Sequence, residues 1–352
     1  MKNKARKKRK KEEGALNITS IEKIEAEKDY RRRIKKIEYI LGSILLGSLF
    51  VFGFIAASAI LNEGAGAFIS TIKSMNLFYY SIALLIIFLS YALRFPKWEY
   101  YLKKLKVNIP RKKNFIIYLS MYSMDITPGR WGRAVVSYTI NKLTKVRFSR
   151  TFPAVVADIF TDFLGFAIIC VFFAFFVHRY VLVSLTITAI LLLPFVFLYH
   201  EKPFVYLKSK LSRFKSLKSF FEVGELYFKN NKMLGRDSYW YSMLYTVPSM
   251  FLNGLSLYFV MLSFGVDVGV ANIPTVVFIF ASSLIFGMIT GIPANLAVTD
   301  GAMLSSLIAF FGGMGLNFGL ASIITIFFRI ASVWFVELFG FIALAYTFRY
   351  WR

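Results

Sequence analysis

The sequence predicts an all-α fold, a polytopic integral membrane helix bundle, and three observations carry that prediction. Of its 352 residues, 57% are hydrophobic, with 39 Phe and 20 Tyr, and the mean hydropathy is +0.59. That much apolar surface needs lipid to cover it. The apolar residues fall into runs of about 20, the number a helix needs to cross the hydrocarbon core of a bilayer. The 43 Lys+Arg against 19 Asp+Glu, a formal charge of +24, lie mostly between those runs, as expected of cytoplasmic loops.

Residues 1–36 form a basic cytoplasmic tail, in which positions 2 to 11 are nearly all Lys or Arg. A strongly charged stretch of about 36 residues precedes the first apolar run, far longer than the n-region of a signal peptide, so the expectation is a tail that is not cleaved. It reads either as a solvated segment that enforces orientation or as a polybasic patch held at the anionic inner leaflet, at about 1 kcal/mol per basic residue.

Six runs are long enough to span: Tyr39 to Leu61, Leu77 to Leu93, Phe152 to Val177, Val181 to Tyr199, Tyr239 to Phe264 and Phe318 to Phe348. Two further stretches, Phe115 to Ile140 and Pro274 to Phe311, are apolar but broken near their centres. The breaks are Asp125-Ile-Thr-Pro-Gly-Arg-Trp-Gly-Arg133 and Gly291-Ile-Pro-Ala-Asn-Leu-Ala-Val-Thr-Asp-Gly301. Proline removes a backbone donor and glycine admits unusual dihedrals, so each stretch reads as helix, break, helix. Irregular backbone at membrane depth must be buried in protein or line a wet cavity.

Loop charge sets the predicted path. The tail, Lys97 to Lys113, Lys142 to Arg150, Lys202 to Arg236 and the terminal Arg349 and Arg352 are basic and should face the cytoplasm of the cell membrane, with both termini. Asn62 to Asn76, His178 to Tyr180, Gly265 to Asn272 and Gly312 to Asn317 should lie outside. Every loop keeps its side if Phe115 to Ile140 is a re-entrant hairpin entering from the cytoplasm and Pro274 to Phe311 one entering from outside. Two closely packed spans would also fit the second stretch. The chain then divides into a first transmembrane half (37–200), a basic linker (201–237) and a second half (238–352). Each half holds one interrupted hairpin, an inverted arrangement recurrent in secondary transporters.

The basic balance does not signal nucleic-acid binding, because most aromatics lie inside apolar runs rather than on a soluble face. The single Cys170 and the two histidines, His178 and His200, assemble neither a disulfide framework nor a Cys/His metal site, and no cofactor is expected. Ionisable side chains within spans are costly, so each is a candidate for function. Asp125, Arg130 and Arg133 lie around the first break, Asp158 and Asp162 in the next span, Asp300 in the second break, and Arg329 and Glu337 in the last span. Asp158 and Asp162 are four apart and share a helix face. They need cations, for which Arg130, Arg133 and Arg329 are available, and read either as a buried ion-pair cluster or as a polar pathway. Arg130 and Arg133 follow Pro128-Gly129, where a half-helix would begin, and read as a cradle for a lipid phosphate or as snorkelling side chains. Trp98, Trp240 and Trp351 read as interfacial anchors.

At these residues the chain resembles the flippase-like family, the transmembrane region of bacterial lysylphosphatidylglycerol synthetases, also called multiple peptide resistance factors. Leu93-Arg94-Phe-Pro-Lys-Trp98 is similar to the family's Leu-Arg-x-x-Arg-Trp. Thr127-Pro128-Gly129-Arg130-Trp131-Gly132 is similar to its Pro-Gly-Arg-x-Gly-Glu, and Asp158-Ile-Phe-Thr-Asp162 to its Glu-Arg-x-x-Asp. Pro293-Ala-Asn-Leu-Ala-Val-Thr-Asp300-Gly301 resembles Pro-Gly-Gly-Leu-Gly-Val-x-Glu-Gly, with Arg329 where the family keeps an arginine. The likeness covers about residues 38 to 348. The chain departs from the pattern at Arg133 (Glu in the family), Val136 and Ile159 (Arg), and Ala294, Asn295 and Ala297 (Gly).

The resemblance implies movement of a polar-headed, anionic or zwitterionic lipid between leaflets, through a cavity made by the two broken hairpins. Asp125, Pro128, Gly129, Arg130, Gly132, Arg133, Asp158, Asp162, Pro293, Asn295, Thr299, Asp300, Arg329 and Glu337 are the implied substrate-binding residues. Arg130 and Arg133 would engage phosphate, and the aspartates cationic or hydroxyl headgroup atoms. No segment after Phe348 is long enough for the synthetases' transferase domain, so the expectation is a transporter and not an enzyme, with membrane lipids as its partners. A membrane-embedded transferase or hydrolase acting on a lipid phosphate through Asp158 and Asp162 is the alternative, and a scaffold recruiting through the tail a third reading.

Overall fold

The computed structural model describes residues 47, 49–62, 64–177, 201–211, 225, 233–235, 237–290, 295 and 297–350. Residues 51–352 form one compact unit. Its helices are α1 (51–62), α2 (Ala65–Lys73), α3 (Leu77–Leu93), α4 (Phe95–Lys104), α5 (Arg111–Ser120), α6 (Val135–Thr144) and α7 (Phe148–Ala174). After them come α8 (Glu201–Leu211), α9 (Asp237–Ser263), α10 (Ile273–Thr290), α11 (Val298–Phe311), α12 (Phe318–Arg329) and α13 (Phe335–Tyr350).

Five helical stretches among the described residues are long and apolar enough to cross a membrane: Leu77–Lys104, Phe148–Ala174, Asp237–Ser263, Val270–Met288 and Phe318–Tyr350. Four coincide within a few residues with expected spans, except that the first runs eleven residues beyond Leu93. The expected span Val181 to Tyr199 lies outside the described residues, as does most of the basic tail. The two broken stretches differ. In the first, α5 and α6 have 10 residues each, about 15 Å, half a hydrocarbon core. In the second, α10 has 18 residues and α11 has 14, so one arm is long and apolar enough to cross by itself and the other is not.

Three expectations change. The segment from Asn62 to Asn76 is not a plain loop but carries α2. Lys97 does not belong to a solvated basic loop: it sits on α4, fully buried, because the helix continues past Arg94 into the protein. Trp98 is no interfacial anchor either. It is fully buried, and its indole N–H donates to Asn114 Oδ1 at 3.1 Å, whereas Trp240 is largely exposed, as an anchor would be.

Helices at membrane depth gain little from apolar contact that lipid would not also give, so small residues set how closely they pack. A Cβ on Gly165 of α7 would lie 2.6 Å from Thr246 Cγ2 of α9. One on Gly254 of α9 would lie 3.0 Å from Val277 Cα of α10. These contacts make α9 the axis against which α3, α7 and α10 assemble. On the other side α13 packs on α5 and on the turn that follows it, where a Cβ on Gly340 would strike the Ser123 backbone N–H.

Candidate functional site

The first break begins where α5 tightens into a 3-10 turn at Met121–Met124; a second 3-10 turn, Pro128–Ala134, leads into α6. Thr127 ties the two together, its hydroxyl donating to Met124 O at 2.9 Å and accepting the Gly132 N–H at 2.6 Å. Glycine is required at 132, since a Cβ there would sit 2.6 Å from Met124 Cβ and 2.7 Å from Thr127 Oγ1. Pro128 and Gly129 shape this turn, and Arg130 takes a left-handed backbone, φ 60°. The turn thus sends Arg130 and Arg133 toward α7.

There they meet a buried charge cluster. Asp158 and Asp162 do share one face of α7, both fully buried. Asp162 Oδ2 accepts from Arg94 Nη1 and Arg133 Nη1 at 2.8 Å and Arg130 Nη1 at 3.2 Å, and Oδ1 from Lys97 Nζ at 2.8 Å. Asp158 pairs with Lys97 at 3.0 Å and Arg133 at 2.7 Å. Asp125 forms a two-point pair with Arg133, through Nε and, at 3.1 Å, Nη2. Arg94 also lies 4.1 Å from the Tyr91 ring centroid, a cation–π contact. Four cations thus meet three carboxylates, all buried except the partly exposed Arg130 and Asp125, and the pairing offsets much of the cost of burying each charge.

Two of those cations were not among the expected site residues. The sequence places Lys97 in a basic loop and Arg94 only in a family-like motif, although the two stand three apart where an apolar run ends, and two same-face carboxylates require partners. Arg329, expected as such a partner, is not in the cluster. It pairs instead with Asp300, Nε to Oδ1 at 2.8 Å.

Asp300 opens α11 as its third residue, and its Oδ2 accepts the Ala297 N–H at 2.9 Å, a carboxylate returning to cap its own helix. Asn295 (φ 53°) and Ala297 (φ 63°, ψ −46°) hold left-handed backbone. Thr299 is fully buried beside Gly287. Pro293 lies outside the described residues. Glu337 belongs to the first break rather than the second, because its Oε1 accepts the Ile126 N–H at 2.9 Å.

Between the breaks lies a cavity that is partly open to solvent. Its wall takes Asp125, Ile126, Thr127 and Arg130 from the first break, Asn295 from the second, Arg94 after α3, and Arg329 and Glu337 from the last span. Phe163, Phe166, Met250, Phe280, Leu284 and Met288 supply an apolar side. Of the expected substrate-binding residues, Asp125, Arg130, Asn295, Arg329 and Glu337 line the cavity, while Gly132, Arg133, Asp158, Asp162, Thr299 and Asp300 do not. Arg329 is followed by a π-turn, Ile330–Trp334, that carries Ser332 and Val333 into the lining; such irregular turns recur at functional sites. Among the described residues, no group of three His, Cys, Asp or Glu is placed to hold a metal.

A family model described as lysylphosphatidylglycerol synthase TM region matches residues 40–340. The chain belongs to that family. A comparison with curated proteins gives no match. Membership makes the chain a membrane protein of lipid handling. Asn295 and Ala297, two positions where the sequence departs from the glycines of the motif it resembles, take backbone angles that glycine adopts without strain. The charged motifs noted in the sequence converge here on one ion cluster: Arg94 and Lys97 from the first motif, Arg130 from the second, Asp162 from the third.

Proposed function

We propose that this member of the lysylphosphatidylglycerol synthase transmembrane family moves a polar-headed lipid between leaflets and does not modify it. One observation carries the reading: a single cavity is bounded by both interrupted stretches, with Arg94, Arg130 and Arg329 on one part of its wall and apolar side chains on another. That is the lining an amphiphile needs, cations for an anionic or zwitterionic headgroup and an apolar side for its chains.

Arg130 is the arginine suited to exchange partners. It is the least buried of the four cluster cations, and its contacts are the longest, 3.2 Å to Asp162 and 3.9 Å to Asp125. A phosphate entering the cavity would take it over, while Arg94, Lys97 and Arg133 keep Asp158 and Asp162 neutralised. In this reading the two broken stretches enter from opposite faces, the termini and basic loops are cytoplasmic in the cell membrane, and the basic tail rests on anionic lipid. The transferase or hydrolase alternative needs Asp158 or Asp162 as a free acid, base or metal ligand. Both are fully buried, committed to cations and absent from the cavity lining, so transport is the better-supported reading.

The test is leaflet exchange of a headgroup-labelled phospholipid in vesicles with and without the protein. Exchange well above empty vesicles, reduced about tenfold or more by Arg130→Gln, is expected. Rates equal to empty vesicles overturn the proposal, and product formed from the labelled lipid would favour the enzyme.

A further inference from the structure

Asp125, Asp158, Asp162 and Asp300 are each ion-paired. Glu337 is not. It is 5% exposed, faces the cavity, and accepts one hydrogen bond, from the Ile126 N–H at 2.9 Å. No Lys or Arg among the described residues forms an ion pair with it, and Asp125 acts on it as a like charge. An ionised carboxylate in that position loses hydration without gaining a counter-ion.

The surroundings supply no other means of compensation. Asp125 and Arg130 of the first break and Arg94 and Tyr91 from the α3 side line the same cavity, but the three charged ones are engaged with Arg133 or with Asp162. Arg329 of α12 is engaged by Asp300. Tyr122 of the following turn and Tyr118 of α5 are buried and hydrogen-bonded to each other at 2.6 Å. The Arg111, Lys112 and Lys113 of α5 and the Arg349 of α13 lie two or more helical turns away along their helices.

Glu337 also sits where movement would be felt. One turn on, Gly340 admits the Tyr122–Ser123 backbone against α13, a contact a Cβ would forbid. The hydrogen bond to Ile126 closes the same joint. Displacing the first break from α13 would free the carboxylate and change the water it meets.

We propose that Glu337 carries a proton through the transport cycle, so that lipid movement follows a proton gradient. The proton is taken from water while the cavity is open to one face, held on the carboxyl oxygen during passage, and returned to water at the other face. One O–H bond forms and breaks, and no electrons are exchanged. The inference rests on the transport reading above.

The test uses the full chain in phosphatidylcholine–phosphatidylglycerol vesicles with headgroup-labelled phosphatidylethanolamine as probe. Leaflet distribution is measured at equal pH and across a difference of about one pH unit, together with a trapped pH dye. One-to-one coupling shifts the wild-type distribution by up to about tenfold per pH unit, with proton flux into the dye on probe addition. The readout is the ratio of the two distributions within each variant. Glu337→Gln is expected to reduce that ratio to one, whereas Glu337→Asp and Asp237→Asn, the latter exposed and outside the cavity, keep a shift. A wild type that exchanges lipid without a shift or proton flux overturns the inference, as does a Glu337→Gln variant that shifts like the wild type. If the wild type exchanges no lipid, the transport reading fails and this inference with it.

Discussion

Replacing Asp162 by asparagine removes one negative charge from the point where four cations converge. The wild-type cluster balances Arg94, Lys97, Arg130 and Arg133 against Asp125, Asp158 and Asp162; Asp162→Asn leaves four cations facing two carboxylates. Asp162 is fully buried and makes contacts of 2.8, 2.8, 2.8 and 3.2 Å. At an effective dielectric of about 20, one such pair at ~3 Å is worth roughly 5 kcal/mol of Coulomb attraction. Most of that is offset by desolvation already incurred on folding, and asparagine keeps the shape and one acceptor oxygen. Removing a single partner from a buried pair costs about 3–5 kcal/mol, and that is the destabilisation expected. The assay is unfolding of the purified protein in detergent micelles, followed by tryptophan fluorescence, which the buried Trp98 beside Lys97 makes sensitive to this region. Arg94→Gln on the Asp162→Asn background should recover part of the loss, a coupling of about 0.5–3 kcal/mol in a double-mutant cycle. Asp125→Asn should cost less, because Asp125 is partly exposed and has Arg133 as its main partner. An Asp162→Asn protein within about 0.5 kcal/mol of wild type, or strictly additive with Arg94→Gln, would refute the view that this cluster holds the first break to α7.

Ala297→Gly should stabilise by about 1 kcal/mol in the same unfolding assay, since residue 297 sits at φ 63°, ψ −46°, a conformation strained for any residue with a Cβ; no gain would mean the strain is absent. Gly340→Ala should cost about 1–3 kcal/mol through overpacking against the Tyr122–Ser123 backbone, with loss of lipid exchange as the joint opens. Breaking the exposed Lys104–Asp237 pair (2.6 Å) with Asp237→Asn should leave the unfolding temperature unchanged, because exposed ion pairs contribute little.

The order of apolar runs, the two breaks and the shared face of Asp158 and Asp162 were legible because each depends on residues within a few turns of one another. Length against membrane thickness, proline and glycine chemistry, and the four-residue spacing are local facts, and the structure places Leu77–Lys104, Phe148–Ala174, Asp237–Ser263 and Phe318–Tyr350 accordingly. What a charge is for is not local. Composition read Lys97 as part of a solvated loop, but whether a helix carries a lysine outward or inward past Arg94 depends on a carboxylate 65 residues later. In the same way, Arg329 was available to Asp162 as a cation; packing gave it to Asp300, and gave Glu337 to the backbone of the first break. By itself the sequence determined that this protein lives in a membrane and where its helices break. Only the tertiary structure decided which buried charges neutralise one another and which face the cavity. Pairing requires side chains within about 4 Å, and residues distant along the chain reach that separation only when the helices pack.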